Sequence, residues 1–247
     1  MDNKGGTMAG NGEAQFLTTR WSVVPTAGRD TPAKAQKALA ELCQTYWYAL
    51  YAYVRRRGNA PQDAEDLTQA FFARLLEKHS IAQASRERGR FRSFLLASMN
   101  HFLSDEWDKA RAQKRGGKKV ISLDALSAES RYAAQDADQS TPEKVFERQW
   151  ALHLLGEVLR RLEAEHAAAG KAEQFNHLRF CLTGERSSIP YAQLALRLQQ
   201  SEGAIKVAVH RLRQRYRDIL RDEIAQTVSS PDEVEEELRS LWKALSS

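Results

Sequence analysis

The sequence predicts an all-α protein made of two small helical domains joined by a flexible linker, and three observations carry that expectation. Apolar residues recur at three- and four-residue spacing along most of the chain, no stretch alternates as a half-buried strand does, and the periodicity stops between Gly116 and Ser140. With 247 residues the chain is long enough to bury two modest cores.

Residues 1–30 begin as a Gly-rich polar leader and continue into FLTTRWSVV. Phe16, Leu17, Trp21, Val23 and Val24 are too apolar for a leader and too few for a domain, so this run reads as a segment that docks. The first domain is expected over residues 31–115. Thr31 and Pro32 open it as N-cap and first helical residue, Leu39, Leu42, Tyr46, Leu50, Tyr53 and Val54 carry the helix to Arg57, and Gly58 stops it. Pro61 opens PQDAEDLTQAFFARLLEK, with Asp63 placed to cap it and Ala64, Leu67, Phe71 and Leu75 as its buried stripe. A third helix starts near Phe91, carries Phe94, Leu95, Phe102 and Leu103, and dissolves into KARAQKRGGKK.

Residues 116–140 read as the linker, with one apolar island, VISLDAL. The second domain, residues 141–228, restarts at Thr141 and Pro142, and Phe146, Trp150, Leu154, Leu155, Val158, Leu159 and Leu162 form a long apolar face. An element over about Ala172 to Leu182, a polar turn from Thr183 to Ser188, a short helix from Tyr191 to Leu198 and a longer one from Glu202 to Arg221 follow. In residues 229–247, Ser230, Pro231 and Glu233 form a capping box, after which Val234, Leu238, Leu241, Trp242 and Leu245 face one way on a helix expected to dock.

The net charge of +5 and the pI near 9.2 suit a polyanionic partner. Cys43 and Cys181 are the only cysteines and lack metal-ligand spacing, which argues against a disulfide framework or a zinc ribbon and for a reducing compartment. No apolar run approaches the roughly 20 residues of a membrane span, and the start of the chain lacks the apolar core of a signal peptide. The expectation is a cytoplasmic protein with no membrane span, no cofactor and no metal.

The cationic chemistry is concentrated. Between Arg197 and Arg221 seven basic residues face two acidic ones. At 100° per residue Ile205, Ala208, Val209, Leu212, Tyr216 and Ile219 fall in one sector, while Lys206, His210, Arg213 and Arg217 fall in another. YAQLALRL precedes this helix across a tight Gln199–Gln200 turn, and Ser201 supplies an N-cap. That is a helix-turn-helix pattern whose second helix would enter a major groove. The candidate contacts are Ser201, Glu202, Gly203, Lys206, Val207, His210, Arg211 and Arg213, with Gly203 and Ala204 lacking bulk where a phosphate could approach free helix-start amides.

FRSFLLASMNHFLSDEWDKARAQKR carries a second cationic surface. Asn100, Ser104, Trp107 and Arg111 share a face, and residues 109–119 hold six basic side chains and no acid. An aromatic beside Lys and Arg suits unpaired bases, which stack on the ring while the cations follow phosphates. In DAEDLTQAFFARLLEK the flank of Asp66, Gln69 and Ala73, with Phe72 beside it, suits a protein partner instead.

In this order the three segments resemble the sigma-factor family of bacterial RNA polymerase, in its extracytoplasmic-function type. DAEDLTQAFFARLLEK is similar to the region that grips the polymerase clamp, which implies polymerase contacts at Asp66, Gln69, Phe72 and Arg74. The segment that follows resembles the region that melts and reads the −10 element, which implies DNA contacts at Asn100, Ser104, Asp105, Trp107, Arg111, Lys114 and Arg115. IPYAQLALRLQQSEGAIKVAVHRLRQRYR resembles the −35-reading helix-turn-helix. The chain departs from the family in carrying Phe94 where a Trp is common and Asp108 and Lys109 near a usual Arg.

The resemblance implies core RNA polymerase and promoter DNA as partners and no catalytic activity. An anti-sigma factor or a Ser/Thr kinase is the candidate regulator, the hydroxyls of Thr18, Thr19 and Ser22 beside Arg20 being the candidate acceptors, and the termini offer intramolecular control as an alternative. The main rival reading is a non-sigma helix-turn-helix regulator with an N-terminal helical effector domain. A helical adaptor is another. A metal phosphohydrolase built on His101, Asp105, Glu106 and Asp108 is disfavoured, because adjacent carboxylates point to different helix faces.

Overall fold

A computed structural model describes residues 45–77, 90–112, 128–132, 141–182, 190–225, 227–228 and 230–246, and every regular element among them is helical. Residues 45–56 form helix α1. Tyr46, Ala49, Leu50, Tyr51, Ala52, Tyr53 and Val54 are all buried, so α1 is apolar on nearly every side, as expected of a helix enclosed by others. Gly58 ends it with φ of +91°, a conformation that favours glycine, and the Asn59 side-chain amide caps the Val54 carbonyl at 2.9 Å. The predicted start of this helix at Thr31 lies outside the described residues.

Helix α2 spans Pro61–Glu77 and α3 spans Phe91–Ala112. Pro61 at the start of α2 forfeits no hydrogen bond, and Asp63 sits inside the first turn, where it meets the positive end of the helix without being the cap residue expected. Ala64, Phe71, Phe72 and Leu75 of α2 and Phe91, Leu95, Met99, Phe102 and Leu103 of α3 are buried, and the Phe71 and Phe102 rings meet edge-on at 5.8 Å. Thr68, fully buried, satisfies its hydroxyl on the Ala64 carbonyl at 2.7 Å. Part of the expected linker is anchored. The helical segment 128–132 buries Ala128, and Glu129 accepts hydrogen bonds from Tyr51 Oη at 2.7 Å and from Arg55 Nε at 2.9 Å.

Helix α4 spans Pro142–Ala168 behind the expected cap, with Thr141 Oγ1 accepting from the Lys144 amide at 3.3 Å. Phe146, Trp150, Leu154, Val158 and Leu162 are its buried stripe, as the spacing predicts. Its end is a Schellman motif. Gly170, at φ of +69°, donates to Ala167 and Lys171 donates to His166 at 2.8 Å. Helix α5, Ala172–Leu178, continues as a 3₁₀ turn over Arg179–Leu182, followed by α6, Tyr191–Arg197, and α7, Glu202–Ala225.

The C-terminal segment departs from expectation at two points. Ser230 makes no side-chain cap bond, so the capping box does not form and Pro231–Glu233 is a 3₁₀ turn leading into α8, Val234–Ser246. Trp242, expected on the docking face, is half exposed, and Glu237 and Ala244 are buried there with Val234 and Leu241.

Helix α4 packs against both α7 and α8, and α6 packs on α7. Between α4 and α7, Arg215 forms a two-pronged pair with Glu165 at 2.7 and 2.8 Å, and Arg161 meets the buried Glu223 at 2.9 Å. The buried apolar residues run as one contiguous cluster from Tyr46 to Ala244. Ion pairs also cross between the halves: Arg92 of α3, 5% exposed, lies against Glu147 of α4 at 2.7 Å, against Glu237 of α8, and over the Trp150 ring at 4.2 Å. Arg90 Nε meets Glu237 at 2.9 Å, its Nη2 meets Glu236 at 3.0 Å, and its Nη1 donates to Ser240 Oγ at 3.2 Å.

Phe146 has no exposed surface, and truncation to alanine should lower stability by about 3–5 kcal/mol in urea denaturation, through lost transfer energy and the cavity left behind. The Arg55 hydrogen bond, opposed by burial and aided by Tyr51, holds the Glu129 carboxyl below its ordinary pKa. A depressed pKa contributes stability that is complete above the ordinary carboxylate range and lost as pH falls through the folded-state value. Glu129→Gln should therefore be less stable than wild type at neutral pH, with the two denaturation midpoints converging as pH falls below the ordinary carboxylate range.

Candidate nucleic-acid interface

Helices α6 and α7 are joined by a turn whose geometry is set without glycine. Gln199 adopts φ of +51°, its amide donates to Leu196, and the Gln200 amide reaches back to Ala195 at 3.0 Å, which closes α6 in a second Schellman motif. Ser201 then caps α7, its Oγ accepting from the Ala204 amide at 3.1 Å. Ile205, Val209, Leu212 and Ile219 turn inward, as the periodicity predicts, with Ala208 and Tyr216 partly buried beside them.

All eight residues predicted to read the major groove are exposed. Ser201, Glu202, Gly203, Lys206, Val207, His210, Arg211 and Arg213 lie along the outer side of α7, and half of the Val207 surface is open. A Cβ built on Gly203 would meet only Ser201 Oγ, at 4.0 Å, so its backbone is approachable from outside. Two of the cations have partners. Lys206 Nζ lies 2.8 Å from Glu202, which raises its pKa, and Arg213 Nε donates to the Cys181 carbonyl at 3.1 Å. An open groove of about 810 Å³ runs beside this face, lined by Lys171, Gln200, Gly203, Val207 and Arg211 among others.

The second surface is built by α1 and α3. Asn100 is half-buried, and its Oδ1 accepts from Tyr53 Oη and from Arg57 Nη1, each at 2.5 Å. The same Arg57 guanidinium stands 5.0 Å from the centre of the Trp107 ring, while 43% of Trp107 stays exposed. Arg57 and Tyr53 were not among the predicted contacts; the run Arg55, Arg56, Arg57 before Gly58 was the available signal, and it reads as an ordinary cationic helix end. Ser104 and Asp105 are exposed on α3. The Arg111 side chain, Lys114 and Arg115 lie outside what is described.

The four residues predicted to contact polymerase are not equivalent. Gln69 is exposed and donates to Glu65 at 3.1 Å, and Asp66 is half-buried. Phe72 is 5% exposed and packs edge-on against Phe71 at 5.6 Å, so it is a core residue in this conformation. Arg74 pairs with Asp105 at 2.5 Å, which joins a predicted polymerase contact to a predicted DNA contact. Among the described residues no His, Cys, Asp or Glu cluster could hold a metal ion, and no helix is long and apolar enough to cross a membrane.

The cap gives this unit a measurable signature. Ser201→Ala should lower stability by about 1 kcal/mol, against a few tenths for Ser201→Gly, in thermal or urea unfolding.

Residues 42–113 match the family model of sigma-70 region 2, a segment that contains α1, α2 and α3. Members of the sigma-70 family are transcription initiation factors. No curated protein and no solved structure matches the chain.

Proposed function

We propose that this chain is a sigma factor of the extracytoplasmic-function type, acting without catalysis of its own. The observation that carries the reading is the coincidence of the region 2 match with the exposed Trp107 and the anchored Asn100 on α3, together with a capped, basic two-helix unit over residues 191–225. Residues 31–115 bind core RNA polymerase through the flank of Asp66, Gln69 and Arg74 and hold unpaired −10 bases at Asn100, Ser104, Asp105 and Trp107. Residues 141–228 set the start of α7 into the duplex at −35.

Strand opening on this scheme requires no nucleotide hydrolysis. A surface that holds unpaired bases binds only the melted state, and stacking contributes on the order of 1–3 kcal/mol per base, which offsets unstacking and shifts the equilibrium. Lys206, Arg211 and Arg213 act on phosphates or base edges, so affinity should fall steeply with salt. The chain works in the cytoplasm, with an anti-sigma factor or a Ser/Thr kinase as the class of external regulator; Thr18, Thr19 and Ser22 lie outside the described residues.

The deciding experiment adds the purified chain to core RNA polymerase on a promoter library and maps unpaired thymines with permanganate. Melting that requires the chain, and that Trp107→Ala weakens by about tenfold, is the expected result. Duplex binding by α7 with no polymerase-dependent melting would overturn the sigma reading in favour of a helix-turn-helix regulator.

A further inference from the structure

Helix α8 is held on both sides by acidic residues. The stretch Pro231 to Glu237 carries five carboxylates and no cation. Glu235 pairs with Arg221 of α7 at 2.6 Å, and Val234, Leu241 and Ala244 are buried, so α8 is fixed to the second half of the chain. From there Glu236, Glu237 and Ser240 reach Arg90, immediately before α3, and Glu237 also reaches Arg92 in its first turn, both inside the segment that matches region 2. Glu237 is 1% exposed and lies against both Arg90 and Arg92.

This junction is a costly way to obtain stability alone. Desolvating two guanidinium groups and a carboxylate consumes much of the attraction gained, and well-packed apolar side chains of similar size commonly serve stability as well or better. What the charges add is definition. Arg92 fits one arrangement, with Glu147, Glu237 and the Trp150 ring around it, and a carboxylate or a guanidinium left without its partner is stable only where water can reach it.

The closed arrangement also conflicts with simultaneous reading of both promoter elements. Elements centred near −35 and −10 lie roughly 25 base pairs apart, on the order of 80 Å at about 3.4 Å per pair. A compact body of about 200 residues is only about 40 Å across. Surfaces held together on one such body, the exposed Trp107 and the exposed start of α7, cannot occupy both elements on straight duplex.

We propose that α8 is an intramolecular latch, in which Glu236 and Glu237 hold Arg90 and Arg92 so that the two DNA-reading surfaces are kept together until polymerase and promoter separate them. The role in promoter reading rests on the function proposed above; the latch itself does not. While it is closed, apparent affinity for a complete promoter is reduced by the fraction of molecules that are open.

The test uses the full chain with Cys43 and Cys181 replaced and spin labels at Ala97→Cys on α3 and Asp222→Cys on α7, both exposed positions. Electron resonance distances should show one short population. Glu237→Gln should add a longer population at unchanged helicity, and Glu236→Lys should do so more weakly. With core polymerase, the opened variant should bind a complete promoter about tenfold more tightly, with little change on a −35 duplex alone. A short distance retained in both variants overturns the latch. If Glu237→Gln loses helicity, Glu236→Lys, which alters a more exposed pair, decides the question. Opening of the variants with no promoter melting by any form would leave the latch standing and remove the sigma reading.

Discussion

The ion cluster around Arg92 is the buried polar contact that gives the two halves a defined arrangement across their shared apolar core. Each half has helices that pack for ordinary reasons, with α2 on α3 through phenylalanines and α4 on α7 through aliphatic side chains and two arginine–glutamate pairs. None of that fixes one half against the other. Arg92 does, because a buried guanidinium admits few partners and its partners come from two further helices, α4 and α8. Tyr53 adds a weaker link to the same seam, its hydroxyl lying 3.5 Å from Glu143.

Much of the helical architecture was legible because burial is periodic. The stripes of α4 and α7 bury most of the residues their spacing indicated, with Leu155, Leu159, Ala208 and Tyr216 only partly buried, and Thr141 and Ser201 cap the helices they precede. Legibility failed where a residue's environment is set by something distant in sequence. Phe72 belongs to the core beside Phe71, yet on a helical wheel it falls outside the main stripe and reads as surface. Ser230 precedes a proline and a glutamate in the pattern of a capping box, and the chain makes a 3₁₀ turn instead. Gln199 takes a left-handed conformation that sequence normally announces with glycine or asparagine, and only the two backbone bonds that close α6 account for it.

The candidate site divides along the same line. The outward face of α7 followed from helical phase, because exposure on an amphipathic helix is the complement of burial. The cluster around Asn100 did not, since it joins α1 to α3 across more than forty residues through two side chains whose local sequence indicates only the end of a helix. The pair of Arg74 with Asp105 shows the same limit, two charges with separate expected partners that here neutralise each other. Both charges must exchange partners if each is to act outward, and an exposed pair of this kind is held by only about 1 kcal/mol or less.

The setting of Asn100 also fixes the polarity of its amide. Arginine has no acceptor, so the atom that meets Arg57 must be the carboxamide oxygen, and the two ends of the group cannot be interchanged. With the oxygen turned toward Arg57 and Tyr53, the group that Asn100 has left to offer is the NH₂, a pure donor. Under the function proposed above, a base held there would have to present an unprotonated ring nitrogen or a keto oxygen, whereas an exocyclic amine or a ring N–H would meet another donor.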